Sequence, residues 1–272
     1  MNAANVEYAK AAGYRLERGD VATTLVLLHG LGGDRFQPWP YASGAVREGQ
    51  ANRLAPDARG HGATALSDLG PLDFATLAGD VVALVDYLGL PRNLIALGIS
   101  MGAATALRLA LDGEATLRGL ILIRPAWLNR PDPPNLAVFS VIAALLRRYG
   151  PIEGRSRFAV SNVLADVASR SPSAASSLLE QFDRPFALER ARRLEEIPRS
   201  APFRSYAALR TLEIPVLVIG APDDPVHPLA TAKALARAIP TSEFVTVGTR
   251  DGDPKAFHQS IGEASEAFVL AL

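Results

Sequence analysis

Short apolar runs, each followed by a longer stretch of helical period, leave this chain few architectures. The runs at 24–28, 51–55, 94–99, 119–123, 216–219 and 243–247 have the length and composition of buried strands, and 74–90, 101–111, 229–239 and 258–272 carry the periodicity of helices. Strands that alternate with helices in this way predict an α/β fold with a mostly parallel, doubly wound central sheet, because consecutive parallel strands need a long crossover between them. With 49% hydrophobic residues in 272, the chain has the material for a large core.

The alternation is interrupted once. Between 125 and 210 no strand pattern occurs, and helix-like stretches are broken by eight prolines from Pro131 to Pro202. This predicts a helical lid, 125–210, inserted into a core domain built from 1–124 and 211–272. From Arg124 to Arg210 there are 14 Arg, no Lys and 8 acidic residues in a chain of zero formal charge. One reading is an acidic substrate, since Arg offers a bidentate fork to carboxylate or phosphate. The other is a solvated helical surface laced with ion pairs, which the long exposed faces of lid helices favour.

Composition removes several classes of function. Zero net charge leaves no overall basic footprint for nucleic acid. The absence of cysteine excludes a disulfide framework, a thiolate metal site and a cysteine nucleophile. The opening residues lack a basic start followed by an apolar stretch, and no run reaches the roughly 18 apolar residues of a membrane helix. A cytoplasmic protein acting on a small molecule, with no nucleic-acid or membrane partner, is expected.

Chemistry enters at Gly98-Ile99-Ser100-Met101-Gly102, a G-x-S-x-G between a strand-like run and a helix former. Five such residues arise by chance, but strand, sharp turn and helix form the context that gives them meaning. A turn tight enough to lift the Ser100 hydroxyl clear of the sheet leaves no room for Cβ atoms two residues to either side, and it forces unusual backbone angles on the serine. The helix that follows aims free N–H groups and the positive end of its dipole at the site, which suits a developing oxyanion. Ser100 is therefore the expected nucleophile. At neutral pH its hydroxyl needs a base, and the base an orienting carboxylate.

Five motifs occur in a fixed order: His29-Gly30-Leu31-Gly32-Gly33, Asp57-Ala58-Arg59-Gly60-His61-Gly62, the turn at Ser100, Asp224-Pro225-Val226-His227-Pro228, and a late His258. Together they resemble the α/β-hydrolase fold superfamily, of the lid-bearing, esterase-like serine hydrolase kind, over nearly the whole chain. The resemblance implies the order serine, acid, histidine. It gives His29 and His61 structural places and puts the base in the loop after the last strand, which selects His258, although Phe257 stands where the family often has glycine. His227 follows the acid too closely to belong to that loop.

The acid is expected just beyond 216–219. Counting from Gly220 favours Asp223, whereas alignment on Asp-Pro-Val-x-Pro, where prolines fix the backbone, favours Asp224. Asp224 is taken as the acid, with Asp223 the alternative. By resemblance, the oxyanion hole consists of the backbone N–H groups of Leu31 and Met101, and the stretch from Asp57 to Gly62 pins a turn beside the site. Trp39, Trp127, Phe139 and Phe36 are candidates for an acyl pocket or for ordinary core.

The expected function is a serine hydrolase that cleaves a carboxylic ester or related acyl bond of a small molecule through an acyl-enzyme on Ser100, with His258 and Asp224, and with no cofactor or metal. The same triad could serve C–C bond, lactone or thioester hydrolysis, peptide release or cofactor-free perhydrolysis. A small-ligand receptor on the same fold is the non-enzyme alternative.

Overall fold

The computed structural model describes residues 3–19, 22–42, 51–64, 66 and 68–272. Met1 and Asn2, part of the opening read above for a leader, lie outside the described residues. Seven strands form one sheet: β1 (Tyr14–Glu17), β2 (Thr24–Leu28), β3 (Asn52–Pro56), β4 (Asn93–Ile99), β5 (Thr116–Ile123), β6 (Val216–Gly220) and β7 (Ser242–Thr246). Their order is β1-β3-β2-β4-β5-β6-β7. Only β1, on β3, is antiparallel; every other pairing is parallel. This is the mostly parallel α/β sheet expected.

The continuous apolar runs reflect a sheet covered on both faces. Along β4, Leu94 and Ala96 face a layer that contains α1 (Ala3–Ala11), α2 (Phe74–Tyr87), α3 (Met101–Asp112) and α7 (Leu229–Ala238). Ile95, Leu97 and Ile99 alternate to the opposite layer, against Tyr41 and against Phe257 and Ile261 of α8 (Pro254–Leu270). Strand β1 escaped the apolar-run reading for a physical reason. It is an edge strand of sequence Tyr-Arg-Leu-Glu, largely exposed, and its register on β3 is set by backbone pairing rather than by burial.

Residues between β5 and β6 are helical where they are regular: α4 (Ala137–Ala159), bent at Gly150 (φ 71°) before Pro151, then α5 (Asn162–Arg170), α6 (Pro172–Asp183) and short helical turns. Their apolar faces share a core with Leu31, Phe74, Met101 and Trp127, so this segment packs over the C-terminal edge of the sheet. No helix among the described residues is long and apolar enough to cross a membrane.

Strand β2 lies between β3 and β4, so the sheet winds outward from it in two directions. The crevice beyond the C-terminal ends of β2 and β4 is the switch point, where open α/β sheets bind ligands. The loop from His29 leaves β2 there, and Ser100 leaves β4 there.

Candidate active site

Ser100 joins β4 to α3 with φ 53° and ψ −107°, a conformation that costs a non-glycine residue energy and is held by the surrounding backbone. Its N–H donates to Ile123 O at 2.9 Å, and its carbonyl accepts from Ala104 N at 3.1 Å. The flanking glycines are obligatory: a Cβ on Gly98 would lie 2.1 Å from Gly102 O, and one on Gly102 would lie 2.2 Å from Leu28 O. Two backbone carbonyls, those of Gly102 and Leu28, thus take up the room that side chains at 98 and 102 would need.

Asp224 opens the turn between β6 and α7. Its Oδ1 accepts from the N–H groups of Val226 and His227, both at 3.0 Å, which folds the turn back on its own carboxylate. The His227 ring is thereby carried beside Asp224, with Nδ1 3.0 Å from Oδ2. On its other side, Nε2 lies 2.9 Å from Ser100 Oγ. Hydroxyl, imidazole and carboxylate therefore stand in one hydrogen-bonded series in a largely buried place, Ser100 being 7% exposed. Such a series can take up the hydroxyl proton at Nε2 when Nδ1 carries the other ring proton. Asp223, the alternative acid, is exposed and held at φ 59°.

The expectation for His258 is corrected. It does not lie in a loop over Ser100: Asp253 caps α8 by accepting from Ala256 N at 3.0 Å, Pro254 takes the first helical position, and His258 falls inside the helix. From there its Nδ1 meets the Tyr41 hydroxyl at 2.5 Å. His227, set aside for standing too near the acid, occupies the place against Ser100. Two signals in the sequence bear on this: Asp253-Pro254 is a helix start, and a histidine three residues after a turn aspartate sits within reach of that carboxylate.

Arg124 modifies the series. It follows β5 at φ 48° and donates through Nη2 to Asp224 Oδ2, while the same nitrogen stands 2.8 Å from His227 Nδ1. With Nδ1–H donating to Asp224, that cation repels a second ring charge. Burial and Arg124 accordingly hold the His227 pKa below its ordinary 6.5, against the pull of Asp224. Burial works to raise the Asp224 pKa, but His227, Arg124 and their hydrogen bonds outweigh it and keep the carboxyl ionised far below its usual range.

The loop after β2 is tied from beneath. His29 Nδ1 donates to Gly30 O at 2.8 Å and its Nε2 accepts from Ala58 N at 3.0 Å. Gly30 N donates to Gln37 Oε1 at 2.7 Å. Asp57, fully buried, accepts from the N–H groups of Arg35 at 2.7 Å and Ala63 at 2.8 Å. No described hydrogen bond takes the N–H of Leu31 or of Met101, the first residue of α3.

Two adjoining cavities open at the site. One of about 90 Å³ contains Ser100, His227, Leu31 and Phe139, and one of about 480 Å³ extends past Arg124, Arg250, Tyr41 and His258. Of the aromatic candidates, Phe139 alone lines the Ser100 cavity. Trp127 is core, edge-on to Phe74; Trp39 lies under the guanidinium groups of Arg15 and Arg53; Phe36 is exposed. Six of the thirteen arginines of 125–210 stand in described ion pairs, most of them exposed, such as Arg147–Glu195, Arg157–Glu153 and Arg170–Asp166. That favours the solvated-surface reading of their charge.

Residues 25–258 match the family model described as Alpha/beta hydrolase family. The chain belongs to that family. Among its relatives is pyrrolizixenacetamide deacetylase of Xenorhabdus hominickii, 27% identical over 250 residues that cover 91% of this chain and 88% of that protein. The solved enol-lactonase from Burkholderia xenovorans LB400 is 26% identical with a TM-score of 0.69, covering 96% and 94% of the two chains. A thermophilic esterase from Thermogutta terrifontis, at 24% identity, TM-score 0.67 and 93% and 92% coverage, shares the fold. Relatives of this alpha/beta hydrolase family member are thus themselves hydrolases.

Proposed function

We propose that the chain is a serine hydrolase that cleaves an ester or related acyl bond of a small molecule, with Ser100 as nucleophile, His227 as base and Asp224 as the orienting acid. One observation carries the reading: Ser100 Oγ, His227 and Asp224 are linked by hydrogen bonds of 2.9 and 3.0 Å beneath a cavity. In this reading His227 takes the Ser100 proton as Oγ attacks the acyl carbon, then returns it to the leaving group. Water repeats the sequence on the acyl-enzyme. The free N–H groups of Leu31 and Met101 receive the oxyanion. A deacetylase among the relatives supports including amides in the substrate class. Treatment with a fluorophosphonate and peptide mass mapping tests the proposal: a single adduct on Ser100 is expected, and an unlabelled Ser100 in folded protein would remove it.

The pH profile follows from the His227 environment. The base must be neutral, so kcat/KM rises with pH through its pKa and is level above it. Because that pKa lies below 6.5, the acid limb is expected below pH 6.5. In Arg124→Met the repelling cation is gone while the Asp224 attraction stays, so the limb moves to higher pH. A pH–rate series on an ester, in both proteins, checks this; a limb that stays put or moves down contradicts the assignment of His227.

A further inference from the structure

Arg193, with 1% of its surface exposed, is a buried cation for which no carboxylate partner exists among the described residues. Its Nη1 donates to Gly60 O and Arg190 O, both at 3.3 Å, and its Nε has no partner. Burial, with Arg190 and Arg184 nearby, lowers its pKa to about 10. Fully buried guanidinium groups are ordinarily paired, since an uncompensated buried charge is costly. Here the charges that act on the group, Arg190 and Arg184, are of the same sign.

A cavity of about 60 Å³ adjoins this cluster, lined by Arg184, Arg190, Arg193, His61 and the backbone of Gly32 and Gly33. Arg190 also ties the carbonyls of Gly62 (2.8 Å) and Thr64 (3.0 Å), and Arg184 pairs with Glu180 while its own Nε lacks a partner. Asp34 is the one acidic residue of the wall. His61 defines the ligand further. Its Nδ1 donates to Arg59 O at 2.7 Å, so in the neutral ring Nε2 is an acceptor, and this buried atom has no partner. The wall of the cavity therefore combines three guanidinium groups with a histidine whose buried ring acceptor has no partner. Sulfate and carboxylates satisfy the donors alone; hydrogen phosphate has both anionic oxygens and an O–H donor.

We propose that this cavity binds hydrogen phosphate, either free or as the singly protonated head of a phosphate monoester, with the three arginines taking its anionic oxygens and His61 Nε2 accepting its O–H. The ligand would join the helical segment that carries Arg184, Arg190 and Arg193 to the loop that continues from Leu31. Calorimetric titration of the full chain with sodium phosphate, at constant ionic strength, tests it without reference to catalysis. Saturable binding at one site with Kd below about 1 mM is expected, together with a phosphate-dependent rise in Tm. Sulfate should bind at least about tenfold more weakly, and Arg184→Gln, a partly exposed position, should weaken phosphate by a similar factor in protein whose circular dichroism is unchanged. Phenyl phosphate competing at the site supports a monoester, and its exclusion supports the free ion. No saturable binding, equal affinity for sulfate, or an unaltered Kd in Arg184→Gln overturns the proposal.

Discussion

His227→Ala is expected to lower kcat on short p-nitrophenyl esters by about 10⁴-fold or more, Ser100→Ala to do the same, and the double variant to be no slower than either alone. The reason is that nucleophile and base act as one unit: without Nε2 at 2.9 Å, the Ser100 hydroxyl keeps its proton, and without the hydroxyl the imidazole has nothing to activate. His258→Ala, by contrast, costs less than about tenfold, because it removes a partner of Tyr41 rather than of Ser100. Steady-state kinetics on the four proteins, with circular dichroism to confirm folding, separates the two histidines. A collapse of kcat in His258→Ala with little change in His227→Ala would defeat the assignment of the base.

The second large effect is on stability. Asp80→Ala is expected to destabilise the fold by about 3–5 kcal/mol, the usual consequence of leaving one member of a buried ion pair alone. Arg59 and Asp80 are 1% and 2% exposed, joined by Nε–Oδ2 at 2.5 Å and Nη2–Oδ1 at 2.6 Å, with Asn5 Nδ2 donating to the same carboxylate at 2.7 Å. Three pieces of chain meet there: α1, α2 and the turn after β3 that supports the His29 loop. Thermal unfolding should show Tm falling by on the order of 10 °C. An apolar replacement of both partners, Asp80→Leu with Arg59→Met, should recover part of that loss, though the carbonyls of Ala4 and Leu69 lose a donor. A Tm within a degree or two of the parent in Asp80→Ala would show that the pair is not holding these elements together.

The sheet was legible because its inner strands β2, β4 and β6 are buried on both faces, which writes each into the sequence as a short apolar run; β4 and β6 begin and end within a residue or two of their expected limits. The turn at Ser100 was legible for a steric reason, since backbone oxygens leave no room for a Cβ at Gly98 or Gly102. What was hidden depended on where side chains turn. The His258 placement rested on the resemblance, which puts the base in the loop after the last strand, and that position says nothing about whether the intervening residues extend or coil. The Asp253 cap and Pro254 coil them. His227 was hidden by the opposite error, an expectation that base and acid come from separate loops. The like charges and orphaned atoms around Arg193 bring together residues more than a hundred positions apart, from the turn at Gly60 and the helical segment, and no local pattern announces them.

The turn from Asp224 to His227 has a consequence for how the reactive geometry is assembled. Asp224 and His227, the proposed acid and base, are three residues apart and closed by their own hydrogen bonds, so little chain entropy is lost in bringing them together. One distant placement remains, His227 onto a serine 127 positions away. A displacement of the final helix or of the helical segment over the sheet then leaves imidazole and carboxylate aligned with each other. What remains is the approach of one pre-formed pair to the end of β4, with Arg124, which follows β5, and Asn135 holding the turn in place.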